Sequence, residues 1–209
     1  MRRPATLAIL LGLMLAFGAC NKGPGGGGTS ASGDMSLGPA NAKVTVNEFA
    51  SLGCPICAKW NNEVFPAFKA KYIDTGKVHY VFHEFLTGDL PVAGAGFLLA
   101  HCAGKDKYFQ VLDAVFHQEA DLLESDQGAA KRARLVNIAG SVGMTEPQFE
   151  TCVSDDAALK ALNDRSDAAH TKYNIESTPT FIINGKSYVG FQDLAMMDKA
   201  IADAEAGAK

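Results

Sequence analysis

The sequence predicts an α/β fold, and three observations in chain order predict it. A strand–helix–strand series runs from Lys43 to Phe85, a long helical stretch without a convincing strand fills Pro91–Tyr173, and a strand–turn–strand pattern with a final helix closes the chain. Lys43–Ala50 alternates, with Val44, Val46 and Glu48 on one face and Thr45, Asn47 and Phe49 on the other. Pro55 to about Tyr72 follows helical spacing through Cys57, Trp60, Val64 and Phe68, and Pro66 should kink it by removing a backbone donor. Val78–Phe85, rich in β-branched and aromatic residues, reads as a second strand, so the pair suggests a parallel βαβ unit. In the helical stretch, Ala95, Leu98, Leu99 and Cys102 share one face, as do Phe149, Cys152 and Val153. Thr145 with Gln148 reads as a capped helix start. Thr180–Ile183 and Lys186–Val189 flank Asn184-Gly185, the pair suited to a type I′ hairpin turn, and Asp193 is placed to cap a last helix.

Composition sets the outer bounds. At 209 residues, 47% apolar and 20% charged, the chain is neither disordered, nor a disulfide-dense miniature, nor a multi-span membrane protein. A formal charge of −4 leaves no basic excess for nucleic acid as the main partner. The amino terminus reads as an address. Arg2 and Arg3 precede an apolar run, Leu7–Phe17, that is shorter than the ~20 residues a membrane span needs but fits a secretory signal core. Residues 1–19 are therefore expected to be a signal peptide. Phe17-Gly18-Ala19-Cys20 resembles the lipobox of bacterial lipoproteins, although leucine is more usual where Phe17 stands, and implies a lipid on Cys20. The alternative is a simple secreted protein cut near Ala19. Residues 20–37, rich in Gly and Ser, read as a flexible tether. Residues 38–209 are then the folded domain, with a helical insertion at about 91–173.

The chemistry lies in Cys54-Pro55-Ile56-Cys57, at the end of the first strand and the start of the first helix. A thiolate at a helix N-terminus faces unpaired N–H groups and the positive end of the helix dipole, which lowers its pKa. Pro55 suits the first turn, where its missing N–H costs nothing. Cys57 comes round to the same side and can attack a mixed disulfide formed at Cys54, giving one reversible two-electron couple with Cys54 as nucleophile and Cys57 as resolving partner. The competing assignment, half a zinc site, lacks a second Cys-x-x-Cys pair, so no metal is expected.

The run Val46–Cys57, with Ser177-Thr178-Pro179-Thr180-Phe181-Ile182-Ile183-Asn184-Gly185 downstream, resembles the DsbA-type thiol:disulfide oxidoreductases. The likeness extends from Leu37 to the C-terminus and implies a thioredoxin-like fold carrying an inserted helical domain. It implies that Pro179 is cis and packs beside the cysteines, and that the Thr178 backbone offers strand-like hydrogen bonds to a substrate polypeptide. It also makes Glu48 the buried acid beneath the site. The strand alternation supports this independently, and a carboxyl there should have a raised pKa and exchange a proton with Cys57. Cys102 and Cys152 match a second, non-catalytic disulfide found in some relatives; two buried free thiols are the alternative. One departure stands out: Ile56 occupies the position where strong oxidants of the family carry histidine, so the couple should be milder.

The resemblance implies an oxidase that introduces disulfides into exported, cysteine-bearing polypeptides in the periplasm or envelope. It would be a monomer with no cofactor, reoxidised by a quinone-linked membrane protein. An isomerase or reductase of a specific pathway is the same-class rival, and a tethered, non-catalytic binding or chaperone module the other. His83, His101, His117 and His170 lack ligand spacing and read as polar-face or boundary residues, and His79 alternates within its strand; none is assigned a role.

Overall fold

The computed structural model describes residues 28–29, 34–124 and 127–208. The proposed signal peptide, Cys20 and most of the tether lie outside these residues. Among the described residues the strands are β1 (Gly28–Thr29), β2 (Met35–Leu37), β3 (Val44–Ala50), β4 (Val78–Glu84), β5 (Thr180–Ile183) and β6 (Lys186–Val189). They form one sheet in the order β1-β2-β4-β3-β5-β6. Only β3 and β4 run parallel, Val44 opposite Val78 through Ala50 opposite Glu84. The other pairs are antiparallel.

The end of the tether needs correction. Met35–Leu37, assigned to flexible chain because of its Gly- and Ser-rich surroundings, is a strand on the outer side of β4. Met35 is only 2% exposed, and the pairing satisfies backbone groups that β4 would otherwise leave open.

The βαβ crossover contains α1 (Pro55–Glu63), α2 (Phe65–Phe68) and a π-helical turn, Lys69–Ile73. The break at Val64 lies where Pro66 withdraws its backbone donor. This crossover buries Trp60 against Phe181 of β5, with ring centroids 4.7 Å apart, and the Trp60 indole N–H donates to the Gln192 carbonyl at 2.9 Å. The opposite face of the sheet presents Phe49, which packs on Tyr173 at 4.9 Å and stacks on His83 at 4.3 Å.

Between β4 and β5 the chain makes α3 (Leu90–Ala103), α4 (Tyr108–His117), α5 (Glu119–Glu124), α6 (Gly128–Ser141), α7 (Glu146–Val153) and α8 (Asp156–Tyr173). Thr145 and Gln148 form the reciprocal capping box at the start of α7. The Asn184-Gly185 turn has positive φ at both residues, 44° and 89°. Asp193 caps α9 (Leu194–Gly207) by accepting from the Met196 N–H.

The insert is fastened to the sheet through Glu84, the last residue of β4. Burial raises the Glu84 pKa, but hydrogen bonds and charge from His101 and Arg165 outweigh it and leave the carboxyl below the usual range. Tyr108 Oη donates to Glu84 Oε1, which His101 also meets, at 2.8 Å, while Arg165 holds Oε2. His83 is more buried than the polar-face or boundary position read from the sequence and pairs with Asp34 at 3.1 Å, whereas His101 stays at the exposed boundary and pairs with Glu84 at 2.6 Å.

Cys102 of α3 and Cys152 of α7 are bridged, with sulfurs 2.06 Å apart and a sequence separation of 50. Closing a loop of that length restricts the unfolded chain, so replacing both cysteines with alanine should cost about 4 kcal/mol. A urea titration of oxidised protein reads this as a fall in midpoint; an unchanged midpoint refutes it.

Candidate functional site

Cys54 is the N-cap residue of α1, in extended conformation, and its sulfur accepts the Cys57 N–H at 3.4 Å. Its thiol donates to the Thr178 carbonyl at 3.6 Å. Cys54 retains 8% exposure while Cys57 has none, so only the first of the two residues meets solvent. Hydrogen bonding from the Cys57 thiol is the main cause that lowers the Cys54 pKa, to about 6; the Thr178 side chain and the backbone N–H groups of Ile56 and Cys57 reinforce it against burial. Burial, with the neighbouring Cys54 charge, pushes the Cys57 thiol far above its usual value. The two sulfurs are therefore unequal: one is charged at neutral pH and reachable, the other keeps its proton.

Glu48 lies in β3, 2% exposed. Burial raises its pKa to about 8, against a hydrogen bond donated by Tyr80 at 2.5 Å. Tyr80 follows Val78 and precedes Phe82 on one face of β4, and was not singled out from the sequence. The alternation of β4 carried that signal, but the partnership needs the register between strands.

The turn carrying Cys54 is held by backbone. Gly53 O accepts from the Asp89 N–H at 3.0 Å, and Ser51 Oγ donates to Thr87 O at 2.7 Å while accepting the Gly53 N–H at 3.2 Å. A Cβ on Gly88, whose φ is +73°, would lie 1.9 Å from Gly53 O; only glycine permits this approach. Asp89 caps α3 and forms an ion pair with Lys131 of α6, which ties the redox turn to the insert. On the other side the Thr178–Pro179 peptide is cis and brings the Thr178 carbonyl over Cys54. Ile56 stands 46% exposed beside the nucleophile, and its side chain contributes only apolar surface. Thus Cys54, Pro55, Ile56, Cys57, Glu48, Thr178 and Pro179 converge around the start of α1, whereas Cys102 and Cys152 lie within the insert.

Sequence reasoning also missed Glu119, a buried acid at the start of α5. Its neighbours Glu124 and Asp121 mark α5 as an ordinary acidic helix, and nothing local separates the buried acid from the exposed ones. Among the described residues, no group of three or more His, Cys, Asp or Glu side chains is arranged to hold a metal ion.

The family model described as Thioredoxin matches residues 30–203. A Rickettsia bellii protein named as a protein-disulfide oxidoreductase is 31% identical over 82% of this chain and 66% of its own length. The Bacillus subtilis protein named Disulfide bond formation protein D is 26% identical over 80% of this chain and 75% of its own. The chain spans about half to two thirds of the length of its Rickettsia relatives. Among solved structures, alpha-DsbA1 of Wolbachia pipientis superposes with a TM-score of 0.77 at 26% identity, covering 86% of this chain and 94% of the other. The redox turn, the helical insert between β4 and β5, and the match over residues 30–203 agree: the chain belongs to the thioredoxin family and is a DsbA-like member of it.

Proposed function

We propose that the protein is a thiol:disulfide oxidoreductase of the cell envelope that passes a Cys54–Cys57 disulfide to exported polypeptides. The observation that carries this reading is the inequality of the two sulfurs at the start of α1, a reachable thiol with its pKa near 6 above a buried thiol that keeps its proton. A substrate thiolate attacks Cys54 Sγ and the Cys54–Cys57 bond breaks. Its electron pair goes to Cys57 Sγ, which takes a proton from Glu48. A second substrate thiol loses its proton and attacks the substrate sulfur of the mixed disulfide, releasing Cys54 as thiolate. The substrate gives up two electrons and two protons; one proton replaces the one Glu48 gave to Cys57, the other goes to solvent, and the enzyme ends with Cys57 as thiol and Cys54 as thiolate, without needing a cofactor. Thr178 and Pro179 offer the approaching chain a backbone acceptor, with Ile56 as apolar floor.

Direction follows from the charge on Cys54. A thiol whose pKa falls from 9 to about 6 stabilises the reduced form above pH 9, and that contribution is lost as pH falls through 6. At pH 7 it amounts to about tenfold in the redox equilibrium. This favours oxidation of substrates, and Ile56, whose side chain offers no hydrogen bond, keeps the oxidant mild. Reoxidation is assigned to a quinone-linked membrane protein, and the amino-terminal segment to a signal peptide with lipid on Cys20 holding a monomer near a membrane. No helix among the described residues is long and apolar enough to cross one.

The test mixes the oxidised protein with a reduced, unfolded polypeptide bearing two cysteines. Loss of substrate thiols in step with appearance of protein thiols, abolished in Cys54→Ser, is expected. Repair of scrambled substrate by the reduced protein, without net oxidation, would make it an isomerase. Undiminished activity of Cys54→Ser in preventing substrate aggregation, with no thiol exchange, would make it a binding module.

A further inference from the structure

Ser51 follows the last residue of β3 and has no exposure. Its hydroxyl has one hydrogen to donate and two lone pairs to accept with, and all three are engaged. It donates to the Thr87 carbonyl at 2.7 Å, accepts the Gly53 N–H at 3.2 Å and, more weakly, accepts the Thr87 N–H at 3.5 Å. One side chain therefore joins the redox turn to the loop that leads into α3.

The same residue meets both cysteines through its backbone. Its carbonyl accepts the Cys54 N–H at 3.3 Å, and its backbone hydrogen-bonds the Cys57 thiol. Two contacts that hold the turn, Asp89 N–H to Gly53 O and Cys54 N–H to Ser51 O, are made by main chain and do not depend on which side chain stands at 51. The contacts of the hydroxyl do. Without it the Gly53 N–H, one residue before the nucleophile, is left buried with no acceptor, a costly state that a turn escapes by shifting. Cys54 would shift with it, and its sulfur accepts the Cys57 N–H only while Cys54 stays at the N-cap of α1.

We propose that the Ser51 hydroxyl is a positioning group for the redox couple, holding the turn 51–54 against the loop 87–89 so that Cys54 Sγ stays at the head of α1. This rests on the exchange chemistry assigned above to Cys54 and Cys57. Ser51 touches no substrate and carries no proton of the reaction. It acts through Cys54. The thiolate there is favoured first by the Cys57 thiol, then by the Thr178 side chain and the N–H groups of Cys57 and Ile56, contacts that hold only while Cys54 keeps its place. A turn that drifts from them carries a less acidic nucleophile and gives the reduced form less of its charge stabilisation.

The experiment titrates the Cys54 thiolate by its ultraviolet absorbance in reduced protein, with the disulfide form as blank, from pH 4 to 9. In the unsubstituted protein the midpoint should lie at about 6. In Ser51→Ala it should rise by about one pH unit, a tenfold fall in the ratio of thiolate to thiol. Ser51→Thr, which keeps the hydroxyl, should stay with the unsubstituted protein. A purely structural hydroxyl would lower the Tm of Ser51→Ala and leave its midpoint in place, and that result overturns the proposal. So does a Ser51→Thr midpoint displaced as far as that of Ser51→Ala. A midpoint near the ordinary thiol value of 9.0 in the unsubstituted protein would instead overturn the exchange chemistry beneath it. A second measurement needs no change at position 51 and so stands even where Ser51→Ala does not fold. In reduced protein the Gly53 N–H should exchange with deuterated solvent about 100-fold more slowly than an open-loop amide. Exchange at the open-loop rate overturns the proposal.

Discussion

Glu48→Gln should slow the resolution of mixed disulfides by Cys57 about 100-fold, the range expected when a positioned acid–base group is removed. Cys57 is completely buried and its thiol is pushed far up, so water cannot take its proton at a useful rate. Glu48 is the buried acid of β3 nearest in role, with a pKa of about 8 and one oxygen occupied by Tyr80. Resolution in the unsubstituted protein should therefore accelerate with pH up to about 8, as the carboxylate forms, and the variant should lack that rise. Stopped-flow decay of a preformed Cys54 mixed disulfide, followed from pH 6 to 9, reads both effects; identical kinetics across that range would falsify the role. Stability supplies a second sign. The folded pKa lies above the ordinary value of 4.5, so the folded state is unpenalised below 4.5 and loses stability as pH rises through about 8. Glu48→Gln should flatten that decline.

Gly88→Ala should be the most damaging single methyl in the molecule's active-site loops. The added carbon would lie 1.9 Å from Gly53 O and 2.7 Å from Gly53 C, both backbone atoms, at a φ of +73°. Left-handed strain and forced displacement together should cost about 3–5 kcal/mol. In a domain of this size that is roughly a 10 °C fall in Tm. The displacement also separates Asp89 N–H from Gly53 O and moves Cys54 off the end of α1, so exchange should fall further than stability alone explains. Gly140→Ala, in α6 with nothing within 4 Å of the added carbon, is the control and should leave exchange unaltered. A Gly88→Ala protein with unchanged Tm and unchanged exchange rate would refute the close-approach account.

The parts of the fold legible in the sequence are those encoded locally. Period-two alternation placed Glu48 on the face of Val44 and Val46, Asn184-Gly185 marked the hairpin, and Thr145 with Gln148 marked a helix start. Each needs only a few neighbouring residues. What escaped depends on distant partners. Met35–Leu37 looks like tether until β4 supplies hydrogen bonds, and His83 looks like a boundary residue until Asp34 and Phe49 cover it from other parts of the chain. The same holds at the site. The Cys-x-x-Cys motif is visible as a string, but the Gly53–Gly88 contact and the buried oxygen of Glu119 arise only when the insert folds back onto α1.

The edges of the sheet have a consequence for solubility. Strand-shaped hydrogen bonding to a substrate invites unfolded chains to pair with any open strand, including the protein's own. The outermost strands are short, two residues in β1 and four in β6, and β6 opens on Lys186 with most of its side chains exposed. Short, lysine-bearing borders are poor templates for adding further strands. On the proposed function, this confines backbone pairing with client polypeptides to the Thr178–Pro179 loop, where Cys54 can act, and discourages clients from nucleating aggregates on the rest of the sheet.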